Sequence, residues 1–458
     1  MPQKYIQAPR RARRRVSITS FGQGMDAASD EHVLPPHIAS EIYNFDFSSG
    51  ALIEGYGLKS VPYITRQIDS MWTYRRYDFE REIDEEILMY ASSGIIFYQR
   101  GGIEHRLEGI TFTGRVRAIN YRLYGDDVIL MTSPTDHMAV WDGMNDAYTV
   151  PNSPHITSMT IHFERMFSSV GGERNAVWFS RDLDPTNWDL ELDRGGFIQM
   201  LDERGKVNKV ISYLNFVYIL RDFGISRLSA FADQTDFSVT NLFVSSGRIF
   251  EHTAALCGDR IIFLASDGLY QFDGLTTSRI MQRLDGAIDV SPNAAASFHN
   301  GKYYLSCIIG SADTADNKNN NAVLVYEVAT GLFSILKDVD VRAFNKCNEK
   351  MYAITENGTA AYIERCGSVF GEITTKRWVS GLLDFGTDTV KHVREINFAT
   401  DDAVTLTVFT ESTSKDFTIT PDRGIARVRV NLSGRKIGIA IVSKTEQARV
   451  ARPTVVIS

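Results

Sequence analysis

Short apolar runs alternate along this chain with turns of Gly, Asp, Ser and Asn, and one arrangement recurs: an apolar strand, a polar turn, and a second strand carrying aromatics. The copies read LMYASSGIIFYQRGG from Leu88, VILMTSPTDHMAVWDG from Val128, MFSSVGGERNAVWFS from Met166, VYILRDFGISRLSAF from Val217 and IIFLASDGLYQFDG from Ile261. YYLSCIIG from Tyr303 with NAVLVYEVATG from Asn321, and MYAITENGTAAYIER from Met351, complete the set. Their turn centres lie roughly 37 to 51 residues apart, the period of four-stranded propeller blades. Two copies end in aromatic-Asp-Gly, Trp141-Asp142-Gly143 and Phe272-Asp273-Gly274. Near Tyr303 the turn is replaced by the polar insertion SADTADNKNNN, which a surface loop tolerates. The pattern predicts an all-β chain whose centre is a β-propeller of about seven blades.

The flanks read differently. Residues 1–66 form a lead-in with a basic arm and a hairpin, Tyr43 to Leu52, turning at Ser-Ser-Gly. Because an open propeller leaves unpaired edges, this segment is expected to add a strand to the last blade and close the ring. The propeller is expected over 67–370. Over 371–458 about seven short strands follow, separated by turns such as Thr400-Asp401-Asp402 and Pro421-Asp422-Arg423-Gly424, the signature of a β-sandwich. In ARVRVNL, Val428 and Val430 face one way and Arg427 and Arg429 the other, as a one-sided strand requires.

With 43% hydrophobic and 23% charged residues the 458-residue chain has ordinary globular composition. No run approaches the roughly 18 apolar residues that span a bilayer, and the N-terminus lacks a signal peptide's apolar core, so synthesis and folding in a cytoplasm are expected. Cys257, Cys307, Cys347 and Cys366 stand far apart without a CxxC pair and read as small buried hydrophobes. A net charge of −7 argues against a protein that coats duplex DNA. Arg10, Arg11, Arg13, Arg14 and Arg15 depart from that balance: they read either as a solvated tail or as an arm that orders on an acidic partner or on nucleic acid.

Several segments together carry a resemblance. The lead-in FGQGMDAASDEHVLPPHIASEIYNFDFSSGALIEGYG resembles the opening of virion β-propeller proteins of tailed bacteriophages, in which Phe-x-Gly precedes an Asn-Phe-Asp strand and a Gly-Ala-Leu return. Ser180-Arg181-Asp182-Leu183-Asp184-Pro185-Thr186-Asn187-Trp188 is similar to their Ser-x-x-x-Asp-Pro-x-x-Trp element, and RWVSGLLDFGTDTVKHVREINF with GRKIGIAI to their C-terminal β-domain. The related functional classes are the tail nozzle and packaged-DNA stabilisation (tail accessory) proteins of short-tailed phages. The resemblance implies a non-enzymatic structural protein of the virion, sited in the neck or tail. Its partners would be copies of itself in a ring, six favoured, the portal or head-to-tail adaptor and other tail proteins. DNA would pass through the lumen without sequence-specific binding, and an acidic lining would let it slide. Asp84-Glu85-Glu86 and the loop around Asp313 and Asp316 are candidate lining carboxylates. The five arginines are candidate assembly contacts.

Other chemistry finds little purchase in the sequence. Ser180 to Trp188 also resembles the Asp-box turn of sialidases, in which Ser180, Asp182 and Asp184 would bond the backbone while Trp188 packs between strands; that role is structural. A sialidase further needs an arginine cluster and a Tyr nucleophile, and no spacing gathers them here. No Gly-x-Ser-x-Gly elbow or phosphate-binding loop occurs, and the histidines are scattered singly. Asp313, Asp316, Asn317 and Asn319 lack an EF-hand's Gly and terminal Glu. No catalytic residue, metal ligand or cofactor is expected. The alternative function is a receptor- or glycan-binding tail-tip protein using propeller loops, although Trp72, Trp141, Trp178, Trp188 and Trp378 all lie in or beside strand signals.

Overall fold

In a computed structural model, residues 13–192, 194–231, 233–289, 291–310 and 319–458 are described. Arg10, Arg11, Asp313, Asp316 and Asn317 lie outside them. Apart from three single-turn 3₁₀ segments, the regular elements among the described residues are strands.

Seven antiparallel meander sheets follow one another in chain order. Five are four-stranded and occupy 70–106, 117–149, 156–199, 207–244 and 255–280. In the sixth, Lys302–Ile309 pairs with both Ile288–Asp289 and Ala295–His299 on one side and with Ala322–Glu327 on the other. The seventh contains Val341–Cys347, Lys350–Thr355, Ala360–Arg365 and then Tyr56–Ser60, a strand from the start of the chain. These are the blades of a seven-bladed β-propeller, and each of the seven sequence repeats marks the two central strands of one blade.

The central strands are apolar because each is covered on both faces. Ile129, Met131 and Trp141 of blade 2 pack on Trp72, Tyr74 and Met89 of blade 1, while the other side of blade 2, Leu130 and Val140, packs on Met166 and Trp188 of blade 3. Phe167 and Val177 meet Val217 and Ile219 of blade 4, and Tyr218 and Leu220 meet Phe263 and Phe272 of blade 5. Hydrogen bonds link the next pairs: Tyr303 Oη donates to Thr253 O at 2.7 Å, and Asn320 Nδ2 to Val341 O at 2.7 Å. Tyr352 and Ile354 of blade 7 then pack on Leu88 and Tyr90 of blade 1, which completes the ring. Each large side chain fully buried in this way contributes about 1.5–3 kcal/mol.

Grouped by contacts, the chain divides into two units. The propeller unit holds Lys59–Gly331 and Asp338–Ile363; the other holds the residues up to Leu58, Leu332–Lys337 and Glu364–Ser458. The second unit therefore differs from a sandwich made of residues 371–458 alone. Its four-stranded sheet runs Arg14–Ser17, Val450–Ile457, Lys391–Thr400, Ile425–Gly434. Its five-stranded sheet runs Ala39–Tyr43, Lys376–Ser380, Ile437–Ser443, Val404–Thr410, Ser414–Ile419. One N-terminal strand takes an edge of each sheet of the β-sandwich. Phe21, 1% exposed, sits edge-on to the fully buried Trp378 with ring centroids 4.9 Å apart.

Candidate functional site

The interior of the propeller ring is charged. Arg117, at the start of the first strand of blade 2, reaches Glu251, in the turn before blade 5, with Nη2 to Oε1 at 3.4 Å. Two blades separate them one way round and three the other, so this ion pair crosses the ring. Lys206 Nζ lies 3.5 Å from Glu251 Oε2, and Lys209 Nζ donates to Ala254 O. Burial, reinforced by Arg117, lowers the Lys209 ammonium to about 8. His252 is pushed down to about 3 by burial, then by the cations Arg117, Arg115, Lys209 and Lys206, and is held neutral. At one mouth a cleft of about 600 Å³ is lined by Asp69, Arg115 and Arg342, with Arg342 Nη2 donating to Ile68 O at 2.8 Å. The propeller axis is thus crossed by side chains and biased toward positive charge.

A larger cleft, about 690 Å³, lies where the long first hairpin of blade 1 meets blade 2. Tyr77 and Phe79 stand at its rim, 37% and 73% exposed, packed edge to face at 5.0 Å. Asp78, Glu80, Glu85, Asp126, Asp127 and Asp142 line it against Arg76, Arg81 and Arg100, a net acidic wall. Part of that charge is engaged: Glu85 pairs with Arg76 and Arg100 at 3.2 Å each, and Asp127 Oδ2 accepts from Tyr77 N at 2.8 Å. An exposed aromatic beside carboxylates and guanidiniums is a surface that suits polar, hydroxyl-rich or cationic ligands.

The aromatic-Asp-Gly turns are structural. Asp142 Oδ1 accepts from the Met144 and Asn145 amides, and Asp273 Oδ1 from the Leu275 and Thr276 amides, so that hydrogen bonding holds both carboxyls below their usual range. Tyr74 reaches across to blade 2, its Oη donating to Asp127 O at 2.7 Å; Tyr218 Oη of blade 4 donates to Gly274 O of blade 5 at 3.1 Å. A side chain at Gly143 would meet Tyr74 Cε1 at 2.8 Å, so this position leaves room for little but glycine.

Ser180 to Trp188 folds as a compact turn on blade 3. Ser180 is fully buried, its Oγ accepting from Met166 N at 3.1 Å and donating to Arg181 O at 3.0 Å. Asp184 Oδ1 accepts from Thr186 N and Oγ1, Trp188 is buried between blades 2 and 3, and Asp182 is exposed. Of the acidic stretch, Glu86 pairs with Arg75 at 2.7 Å and accepts from Asn348 N, Glu85 is engaged as above, and Asp84 is exposed. Two of these carboxylates are therefore already committed to partners. Arg14 and Arg15 lie in a strand paired with Val450–Ile457, where Arg14 Nη1 donates to Phe385 O at 3.0 Å; Arg13 is exposed just before it.

One juxtaposition is invisible in the sequence. His137 and His155 stack edge to face at 4.9 Å in a cleft of about 320 Å³ beside Asp136. Asp136 is held well below the usual carboxylate range, outweighing its partial burial, by hydrogen bonds from Ser133, the Gly114 amide and Thr113. No group of three or more metal-binding side chains is found among the described residues.

No family model matches the chain, and no curated protein does. Among solved structures it is similar to the N-terminal part of BBS1, solved in complex with ARL6, at 11% identity over 68% of this chain and 95% of that one, with a TM-score of 0.44. The WD40 repeats of RRP9 match at 9% identity over 68% and 98%, TM-score 0.43. A fungal alcohol oxidase of the AA5 family, in complex with copper, matches at 10% identity over 87% and 98%, TM-score 0.44.

Proposed function

We propose that this chain is a structural, non-catalytic component of a tailed-phage virion, one copy of a ring in the neck or tail that extends the DNA channel below the portal and helps retain and eject the genome. The reading comes from the resemblance of its lead-in, its Ser180 to Trp188 element and its C-terminal strands to virion propeller proteins. What supports it most is that the elements from the two ends of the chain belong to one another. Phe21 of the lead-in packs on Trp378, Asn44 Nδ2 donates to Thr375 O at 2.8 Å, and Arg14 donates to Phe385 O in the Asp384-Phe385-Gly386 turn. The lead-in and the C-terminal match thus share one folded unit, while the Ser180 to Trp188 match lies on blade 3 of the propeller.

The test is cryo-electron microscopy of purified particles with this chain located by antibody or by fitting. A ring around the DNA path under the portal is expected, and would give the copy number. Location on a peripheral fibre or tip, or absence from the particle, overturns the reading.

A second reading, a receptor- or glycan-binding tail-tip protein, is favoured by one observation, the acidic cleft with Tyr77 and Phe79 at its rim. It predicts glycan-array binding by the purified chain that Phe79→Ala abolishes. Wild-type binding unaffected by that change, or no binding at all, discards the cleft as a receptor site.

A further inference from the structure

The four-stranded sheet of the unit built from both chain ends has one apolar face, and its register fixes what the other carries. Arg15 stands opposite Val456, Val456 opposite Glu395, and Glu395 opposite Arg429. The adjacent row is Ser17, Thr454, Asn397 and Arg427. Ser17 Oγ lies 2.9 Å from Thr454 Oγ1, and Arg427 Nη2 donates to Glu395 Oε2 at 2.8 Å, so both rows share the outward face. Ile396, Val428 and Val455, on the opposite side of the same strands, are buried; in the outward rows only Val456 is. Arg394, at a bulge in the central strand, is exposed and donates through Nε to Ser458 Oγ.

Four arginines therefore stand on this sheet against one glutamate, which is only 16% exposed and already accepts from Arg427 and Asn397. With strands about 4.8 Å apart, Arg15 and Arg429 mark out a patch about 14 Å wide. The chain as a whole carries −7, so everything outside the patch is more acidic than that figure.

We infer that this basic sheet face docks onto an acidic surface of a second copy of the chain. The inference rests on the ring reading above and names the surface through which copies would join. Opposite charge on two different patches of one molecule is what a heterologous, head-to-tail contact uses, and such contacts make a ring when the rotation between copies closes. The wall of the 690 Å³ cleft, with six carboxylates against three arginines, shows that acidic surface of the required sign exists on the same molecule. A nucleic-acid backbone fits less well, because the net negative charge of the chain repels a polyanion at long range.

The experiment is sedimentation velocity of the full-length chain at about 10 mM and about 1 M salt, where the Debye length falls from about 30 to about 3 Å. Self-association is expected at low salt, weakened at least about tenfold at high salt. It should be lost in the variant combining Arg15→Glu with Arg429→Glu, and kept when both become Lys. Circular dichroism and melting should match wild type in each; if the glutamate pair fails to fold, Arg15→Ala with Arg429→Ala takes its place. A chain monomeric at low salt overturns the inference. So does an oligomer indifferent to salt and to these changes, which leaves the ring reading standing on another surface. Retention of duplex DNA that depends on Arg15 and Arg429, without self-association, reassigns the face to nucleic acid. Failure of the ring reading itself would show separately, as absence of the chain from the neck of the particle.

Discussion

Lys391 shows how single residues anchor this fold. It is 4% exposed, and its ammonium donates to Thr387 O at 2.6 Å, Thr389 O at 2.8 Å and Arg435 O at 2.5 Å, using all three of its donors. Lys391→Met fills the same space but leaves three carbonyls without a donor, and should destabilise the protein by about 2–4 kcal/mol in urea unfolding. A loss under about 0.5 kcal/mol would mean that water replaces the ammonium. His252 makes a pH prediction. Its folded value, about 3, lies below the ordinary 6.5, so the unfolded chain binds the proton first as pH falls. Its contribution to stability is thus full above pH 6.5 and drains away below it. Melting temperature should fall between pH 6.5 and 5 less steeply for His252→Asn than for wild type; parallel curves would show that the imidazole protonates in place. Little of this was legible in the sequence. A buried lysine and an exposed one look alike until the chain folds, and the pairing of His137 with His155 depends on a hairpin register that spacing does not specify.

At the scale of strands and turns, the sequence displayed what is buried on both faces and hid the rest. The central blade strands, such as Ile261–Ala265 with every residue buried, stand out as apolar runs. The first strands mix charge and apolar side chains because they face the ring interior, as in Arg117–Leu123, and outer strands such as Ser238–Val244 are largely exposed. Neither has a periodicity that separates it from loop. Arg14–Ser17 was hardest to recognise, since a run of arginines reads as solvated chain until Val450–Ile457 supplies a partner. Two Phe-over-Gly pairs allow a comparison between elements. Gly196 stands opposite Phe179 in blade 3, and Gly438 opposite Phe409 in the sandwich; an added Cβ would meet the ring at 2.4 Å and 2.1 Å. Phe179 is 5% exposed and hemmed in by Phe237 at 5.2 Å, whereas Phe409 is half-buried and has room to turn outward. Despite its longer contact, Gly196→Ala should therefore destabilise by about 1–3 kcal/mol and Gly438→Ala by less. Equal losses in denaturant titrations would show that ring mobility is not what decides.

For the whole molecule, the architecture of the ring was readable because a 40-residue repeat states it seven times, whereas the make-up of the sandwich was not, because two of its strands are coded at the far end of the chain. A fragment of residues 371–458 lacks Arg14–Ser17, Ala39–Tyr43 and the Phe21 ring that covers Trp378. Expressed alone it should give the poorly dispersed amide spectrum of an unfolded chain, and gain dispersion when residues 13–58 are fused to it. A well-dispersed spectrum from the fragment alone would show that the N-terminal strands decorate a core complete without them. The same dependence imposes a schedule on the ribosome. The segment with Phe21, Phe45 and Phe47, all within 1% of full burial in the finished protein, emerges well before the C-terminal strands of its unit. At about 5–20 residues per second, that interval is on the order of 20–80 s. Throughout it, the newborn chain carries a sticky, uncovered segment past other ribosomes on the same message, and a neighbour's finished C-terminal strands stand as near as its own. Polysomes are where swapped sandwiches would form, and where a chaperone that grips the first fifty residues would do most good.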